Sequence, residues 1–336
     1  MRFVARDRGA SSMSIAAIPV SDIVPFGRGL HRPECVLPAA SGDVYVPDWR
    51  GGVSVVRADG STQSWLAQNP GFDLKPNGIG FLPDGSFLIA NLGDDGGIWA
   101  MDTEGTVTPF LTHIDGHVLP PANFVFLDQD RRVWITVSTR HVPRQAAWRR
   151  EIADGLLIMV DGAGPHLMAE NLHYTNEART DPAGRFVYVV ETFGRRLIRY
   201  PLLSGARLGP AELAVQLERD DLPDGFIFDR EGGIWITSLV SNQIKRVDQT
   251  GSTQTLIVER NEAFVAEAQQ AYEAGRMEKA HLGPIPGTRF QHLTSIGFGG
   301  PDCRTGYLGS LHADCVYRFT SPVAGLPHPY WDFALP

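Results

Sequence analysis

The sequence predicts an all-β fold, a six-bladed β-propeller with a helical insertion between blades five and six, on three observations. A short polar residue precedes an apolar strand six times, at Glu34, Asn77, Asn123, Asn176, Asp224 and Ser295. These anchors recur at intervals of roughly 43 to 71 residues, the range of multi-stranded propeller blades. Most of the strands then enter a turn, such as Pro83-Asp84-Gly85 or Pro182-Ala183-Gly184, followed by a second apolar strand. Every anchor carries a side-chain oxygen, so blades set around one axis aim all six oxygens at one place.

In chain order, residues 1–13 read as a flexible N-terminus and 14–336 as one propeller domain. Ser14 to Val24 is expected to supply the outer strand of the last blade and remove its exposed edge. The second repeat shows the full pattern. Asn77 to Leu82 is an inner strand, Pro83-Asp84-Gly85 a hairpin turn, and Ser86 to Ala90 the second strand. Ile98 to Asp102 and Thr106 to Phe110 complete four antiparallel strands. The fifth repeat matches it, with Phe226 to Asp229, Ile234 to Thr237, Gln243 to Asp248 and Thr253 to Ile257. The sixth shows three strands and then Pro322, Pro327, Pro329 and Pro336, which suit no sheet interior.

This strand order places the anchors on one face of the ring, with six loops beside them: 48–52, 91–97, 139–155, 191–195, 239–242 and 311–314. The 139–155 loop carries Arg140, Arg144, Trp148, Arg149 and Arg150. Between blades five and six, Phe264, Val265, Ala268, Ala271 and Tyr272 recur at helical spacing behind Asn261, an N-cap residue. Both insertions are expected as covers over an axial pocket.

Composition limits the partners. The net charge of -8 argues against nucleic acid or an anionic membrane, and no apolar run nears the ~18 residues of a membrane span. The first fourteen residues have no apolar stretch of the signal-peptide kind. Cys35, Cys303 and Cys315 form no CxxC pair and read as reduced core thiols, consistent with a cytoplasmic location. No nucleophile elbow or phosphate loop stands in a suitable context. Oligomeric state has no signature.

The chemistry rests on the anchors. Asn77-Gly78 and Asp224-Gly225 are also common turn dipeptides, whereas Glu34, Asn123 and Asn176 precede no turn partner. A carboxylate at the mouth of an apolar strand needs a partner. Two carboxylates with two or three amides make an oxygen-only site suited to a hard divalent cation. By loop position alone, Trp49, Glu191 and His312 join Asn77 and Ser295 as candidate substrate contacts. His113 and His117 are expected in a loop.

At these residues the chain resembles the senescence-marker-protein, gluconolactonase and luciferin-regenerating-enzyme family of six-bladed propellers, with diisopropylfluorophosphatase as a relative. The resemblance is carried by Pro33-Glu34, Thr175-Asn176-Glu177 before Asp181-Pro182-Ala183-Gly184-Arg185, Pro223-Asp224-Gly225, and Ile296-Gly297-Phe298-Gly299-Gly300-Pro301-Asp302. It implies Glu34, Asn123, Asn176 and Asp224 as holders of one divalent cation. Ca2+ is the expected ion, with Mg2+, Mn2+ or Zn2+ as alternatives. Asn123 either joins the metal or orients substrate. Sugar-lactonase members tend to place Arg two residues before that Asn; this chain has Pro121. The expected activity is metal-dependent opening of a small-molecule lactone or ester, with Asp224 and Asn123 catalytic and Asp224 as base or nucleophile. A phosphotriesterase-like hydrolase and a non-catalytic scaffold with a structural cation are the alternatives.

Overall fold

The computed structural model describes residues 14–331 and 333–336; the expected flexible segment 1–13 lies outside them. Six four-stranded antiparallel units surround one axis. Their inner strands begin at Leu37, Pro76, Phe124, Thr175, Pro223 and Leu293. Blade two pairs Pro76–Phe81, Phe87–Asn91, Ile98–Met101 and Val107–Leu111 in order. Its inner three strands are mostly buried and its outer strand only partly so, as burial falls from axis to rim. Blade four carries an extra two-residue strand, Arg207–Leu208, at its edge.

The last blade is closed from the N-terminus, but by different residues from those expected. Val24–Phe26 pairs with Val316–Thr320, Val24 opposite Arg318 and Phe26 opposite Val316. Of the expected stretch only Val24 lies in this strand. Pro19 lacks an N–H for a ladder, and Val20–Asp22 forms a 3-10 turn before it. Ile15 and Ile18 instead run along blade five, where the Ile18 amide donates to the Leu256 carbonyl at 2.7 Å. Inside the ring, threonine hydroxyls tie blade to blade. Thr136 donates to the Asn176 carbonyl, Thr237 to that of Thr294, and Thr294 to that of Glu34, each at 2.6 Å. The last of these joins blade six to blade one.

The proline-rich C-terminus crosses the hairpin end of the ring. Gly325 bridges Asp229 of blade five, the Tyr330 hydroxyl accepts from the Leu127 amide of blade three, and the Tyr45 hydroxyl of blade one donates to the Pro336 carbonyl at 2.5 Å. Tyr330 packs its ring against Phe81.

Glu262–Glu273 is the helix between blades five and six, capped by the Asn261 side chain, which accepts from the Phe264 amide. Its buried residues Val265, Ala268, Ala271 and Tyr272 pack with Trp148, Tyr174, Phe193, Leu222 and Leu239, so both insertions meet on the anchor face. His113 and His117 lie on a two-strand ribbon, His113–Ile114 against His117–Val118, rather than in an open loop; Gly116 at φ 79° makes its turn. All three cysteines are buried free thiols. Among the described residues no helix is long and apolar enough to cross a membrane.

Candidate metal and substrate site

Local backbone irregularity aims the anchors. The pairing of first and second strands slips between Pro76 and Ile79, Thr175 and Ala178, Pro223 and Phe226, and Leu293 and Ile296. Asn77, Asn176, Asp224 and Ser295 therefore each lie in a bulge, a device that redirects a side chain. The Asn-Gly and Asp-Gly pairs are not turns. Gly78 and Gly225 have no left-handed backbone; their role is close approach. A Cβ on Gly78 would lie 2.6 Å from Phe124 Cα, and one on Gly225 2.6 Å from the Thr294 carbonyl oxygen. Both glycines let neighbouring inner strands touch at the axis.

Five of the six anchors, Glu34, Asn77, Asn123, Asn176 and Asp224, line one notch of about 10 Å³, near the ~10–15 Å³ that one small guest requires. Above it opens a cavity of about 530 Å³, reached by Glu34, Asn123, Asn176 and Asp224. All six anchor-side loops contribute to its wall, through Trp49, Leu92, Arg144, Phe193, Leu239 and His312 among others. The helix reaches the wall only indirectly, through the following Lys279, Leu282 and Gly283.

The hydrogen bonds divide the anchors. Asn176 donates its Nδ2 to Thr192 Oγ1 at 3.3 Å, leaving its amide oxygen without a partner among the described residues. Asn123 Nδ2 donates to Ser138 Oγ at 2.9 Å, while its Oδ1 accepts from Asn77 Nδ2 at 3.1 Å. Glu34 accepts from Arg32 Nη1 at 2.9 Å, and the same nitrogen donates to Asn77 Oδ1 at 2.6 Å. Asp224 is 3% exposed and makes no hydrogen bond or ion pair among the described residues. Burial, with the charges of Glu34 and Glu177, pushes its carboxyl well above the usual range, and Arg32 and Arg144 offset part of the rise.

Two expected contacts stand elsewhere. Glu191 is fully buried, accepting from the His173 amide at 2.7 Å and from Arg196; it fastens the end of a blade-four strand and lines neither space. Ser295 donates to Glu177 Oε1 at 2.8 Å; Glu177 lines the notch and Ser295 does not.

A family model described as the SMP-30/gluconolactonase/LRE-like region matches residues 33–260. The chain belongs to this family. Its fold is shared with a gluconolactonase from Xanthomonas campestris, 16% identical over 89% of each chain with a TM-score of 0.65. Regucalcin from Agrobacterium tumefaciens, a calcium-binding protein, is 19% identical over 91% of this chain and 97% of that one, with a TM-score of 0.62. A luciferin-regenerating enzyme is 14% identical over 92% and 96%, with a TM-score of 0.62. No curated protein matches the sequence significantly.

The notch of this SMP-30/gluconolactonase/LRE-like chain fits a hard divalent cation. The anchors offer it carboxylate and amide oxygens, one buried carboxylate has no partner among the described residues, and the space suits one small guest. In a second acidic group, Glu218, Asp220 and Asp221, every carboxylate already has a cationic partner, unlike Asp224. Lys245 pairs with Glu218 at 2.5 Å and Asp221 at 2.7 Å, and Arg260 with Asp220 at 2.6 Å.

Three charged residues of the axis were not among the expected site residues. Arg32, in the left-handed region at φ 56°, lies over the Trp49 ring at 4.3 Å and reaches Glu34. Its position two residues before a buried Glu was the available signal. Glu177, tied to Arg179 at 2.8 Å, lines the same notch and adds a further negative charge acting on Asp224. Arg144 was visible only as one of several loop arginines.

Proposed function

We propose that this protein is a divalent-cation-dependent hydrolase of lactones or related esters with an apolar body, Ca2+ being the expected ion. The observation that carries the reading is Asp224, a buried carboxylate with no partner among the described residues, at the floor of a large cavity. Glu34, Asn176 and Asp224 would hold the cation, with the Asn123 oxygen beside them. A cation bound there supplies Lewis acidity toward the substrate carbonyl and its developing negative charge.

The chain's own residues do the rest. Asp224, ionised when a cation is bound beside it, would take a proton from water as the water oxygen bonds to the carbonyl carbon. The ring or ester C–O bond then breaks, and Asp224 returns the proton to the departing oxygen, leaving a hydroxy acid, or an acid and an alcohol. Asn123, pinned by Ser138 and Asn77, keeps a fixed orientation beside the reacting carbonyl. Trp49, Leu92, Trp148, Phe193 and Leu222 face the body of the substrate. That lining suits an aromatic or aliphatic lactone better than a polar sugar lactone, as does Pro121 in place of Arg. The 530 Å³ volume admits such a body.

The deciding experiment offers aliphatic, aromatic and sugar lactones to the Ca2+-loaded protein, with and without chelator. Chelator-sensitive opening of the apolar lactones, with the fold intact by circular dichroism, is expected. Absence of turnover on every lactone and ester, while Ca2+ still raises Tm, would instead leave a binding scaffold.

A further inference from the structure

We infer that Arg144 is the seat for a carboxylate on the substrate, so that this site selects amphipathic esters or lactones bearing one negative charge away from the reacting bond. The inference rests on the hydrolase reading only for the words ester and lactone; the seat itself is argued from the protein alone.

Arg144 lies in the 3-10 turn Arg144–Ala147 of the long blade-three loop and lines the cavity half-buried. Its two protein partners are both neutral hydroxyls. Nε donates to Tyr174 Oη at 2.9 Å and Nη2 to Ser138 Oγ at 3.3 Å. No carboxylate of the described residues pairs with it, in contrast to the cavity's other arginine, Arg32, whose charge is answered by Glu34. A guanidinium has five donor hydrogens. Both hydrogens of Nη1 and one of Nη2 are left over, and an N–H from each nitrogen matches the two oxygens of one carboxylate. Asp224 feels the Arg144 charge across the cavity but makes no direct ion pair with it, and a partly desolvated guanidinium gains most from a carboxylate in direct contact.

The fork is held in place for this. Tyr174 Oη also accepts from Trp148 Nε1 at 2.7 Å, and the guanidinium sits 5.3 Å from the Tyr174 ring centre. Ser138 Oγ, the other support, also receives Asn123 Nδ2, so one hydroxyl joins the charged seat to the amide at the reacting end. Around the seat Trp148, Phe193, Leu222 and Leu239 are apolar. Apart from the two arginines, the charged groups lining the cavity are Lys279, which adds to the attraction, and Asp94, Glu34 and Asp224, which oppose it. The last two are the proposed cation ligands, and a divalent charge cancels theirs. A single guanidinium balances one carboxylate charge, which favours a monoanion over a phosphate ester.

The test has two independent readouts on the Ca2+-loaded protein. The first is turnover of paired substrates, an aryl lactone with and without a carboxylate side arm. Arg144→Gln is expected to lower the kcat/KM ratio of anionic over neutral substrate roughly 10- to 100-fold, the scale of a charge-assisted hydrogen bond, and Arg144→Lys to restore part of it. The second is calorimetric titration with 3-phenylpropionate and 3-phenylpropanol, which needs no turnover. Wild-type protein should bind the acid more tightly, and Arg144→Gln should lose that preference. Retained preference in the folded Gln variant, or tighter binding of the alcohol by wild type, overturns the seat. Carboxylate-selective, Arg144-dependent binding without hydrolysis of any ester would refute the enzyme reading and leave the seat standing.

Discussion

Asp224 and Asp229 occupy the two ends of one inner strand region in blade five, five positions apart, and are treated in opposite ways. At the hairpin end Asp229 is saturated. It accepts from the Glu231 and Gly233 amides at 2.9 and 2.7 Å, from Trp235 Nε1 at 2.8 Å and from Arg246 Nε at 2.7 Å. Blade three repeats the arrangement, with Asp128 accepting from Trp134 and Arg132. At the anchor end Asp224 has no such partner, and Glu34 and Glu177 crowd it with like charge. The same side chain is thus a structural fastener where the fold supplies donors and a charge held open where it withholds them. Burial alone does not separate the two, since both are nearly inaccessible; the count of donors does. Perturbed, unsatisfied carboxylates of this kind concentrate at functional sites.

The largest expected effect is on turnover. Asp224→Asn keeps the shape and an oxygen ligand but removes the proton acceptor, and should reduce kcat on the order of 10²–10⁴-fold at saturating cation. Its Tm without metal should not fall, because a costly buried charge has been removed. Near-normal turnover would end the proposed role. Asp229→Ala should do the reverse. It leaves Arg246, only 3% exposed in its side chain, with just the longer 3.5 Å pair to Glu231, and should cost about 3–5 kcal/mol of stability by denaturant titration. The folded fraction would still bind cation and keep its kcat. Should Asp229→Ala leave stability unchanged, the contrast between the two ends fails.

A smaller effect is expected from Glu34→Gln, because Arg32 already shares that carboxylate. Affinity for Ca2+ in calorimetric titration should weaken tenfold or more, by the loss of one anionic ligand, while kcat at saturating cation changes less than in Asp224→Asn. An unchanged Ca2+ affinity would remove Glu34 from the cation site.

These contrasts also explain what was legible in the sequence. The ring, the sorting of loops by face and the convergence of Glu34, Asn77, Asn123, Asn176 and Asp224 follow from strand periodicity and turn residues, which are local signals. Bulges are not. They place Asn77 and Asp224 at the notch and give Gly78 and Gly225 a packing role where a turn was the simpler reading. The closing strand began at Val24, since Pro19 and the 3-10 turn displaced it. Glu191 and Ser295 sat in the right loop or register, yet His173, Arg196 and Glu177 claimed them, and such pairings join distant residues that leave no periodic trace. Arg144 shows the same limit from the other side: its importance lies in lacking a carboxylate, and a missing partner is visible only in three dimensions.

The smallest effect sharpens the comparison through pH. Folding raises the Asp224 carboxyl above its ordinary value of 3.8, so the folded metal-free protein holds this proton more tightly than the unfolded chain. Between the ordinary and the raised value the native state binds more protons, and stability falls as pH rises through that window. The contribution is fully present below the unfolded value and lost above the folded one. Metal-free protein titrated with denaturant from neutral toward weakly acidic pH should therefore gain stability before its ion-paired carboxylates begin to protonate. Asp224→Asn should flatten that segment of the curve. Ca2+ should also flatten it, because a bound cation favours the ionised form and stabilises the native state most where Asp224 is charged. A segment of unchanged slope in Asp224→Asn would assign the pH dependence to Glu177, whose carboxyl burial also pushes upward, and Asp224 would then resemble Asp229 more closely than its open hydrogen-bonding capacity indicates.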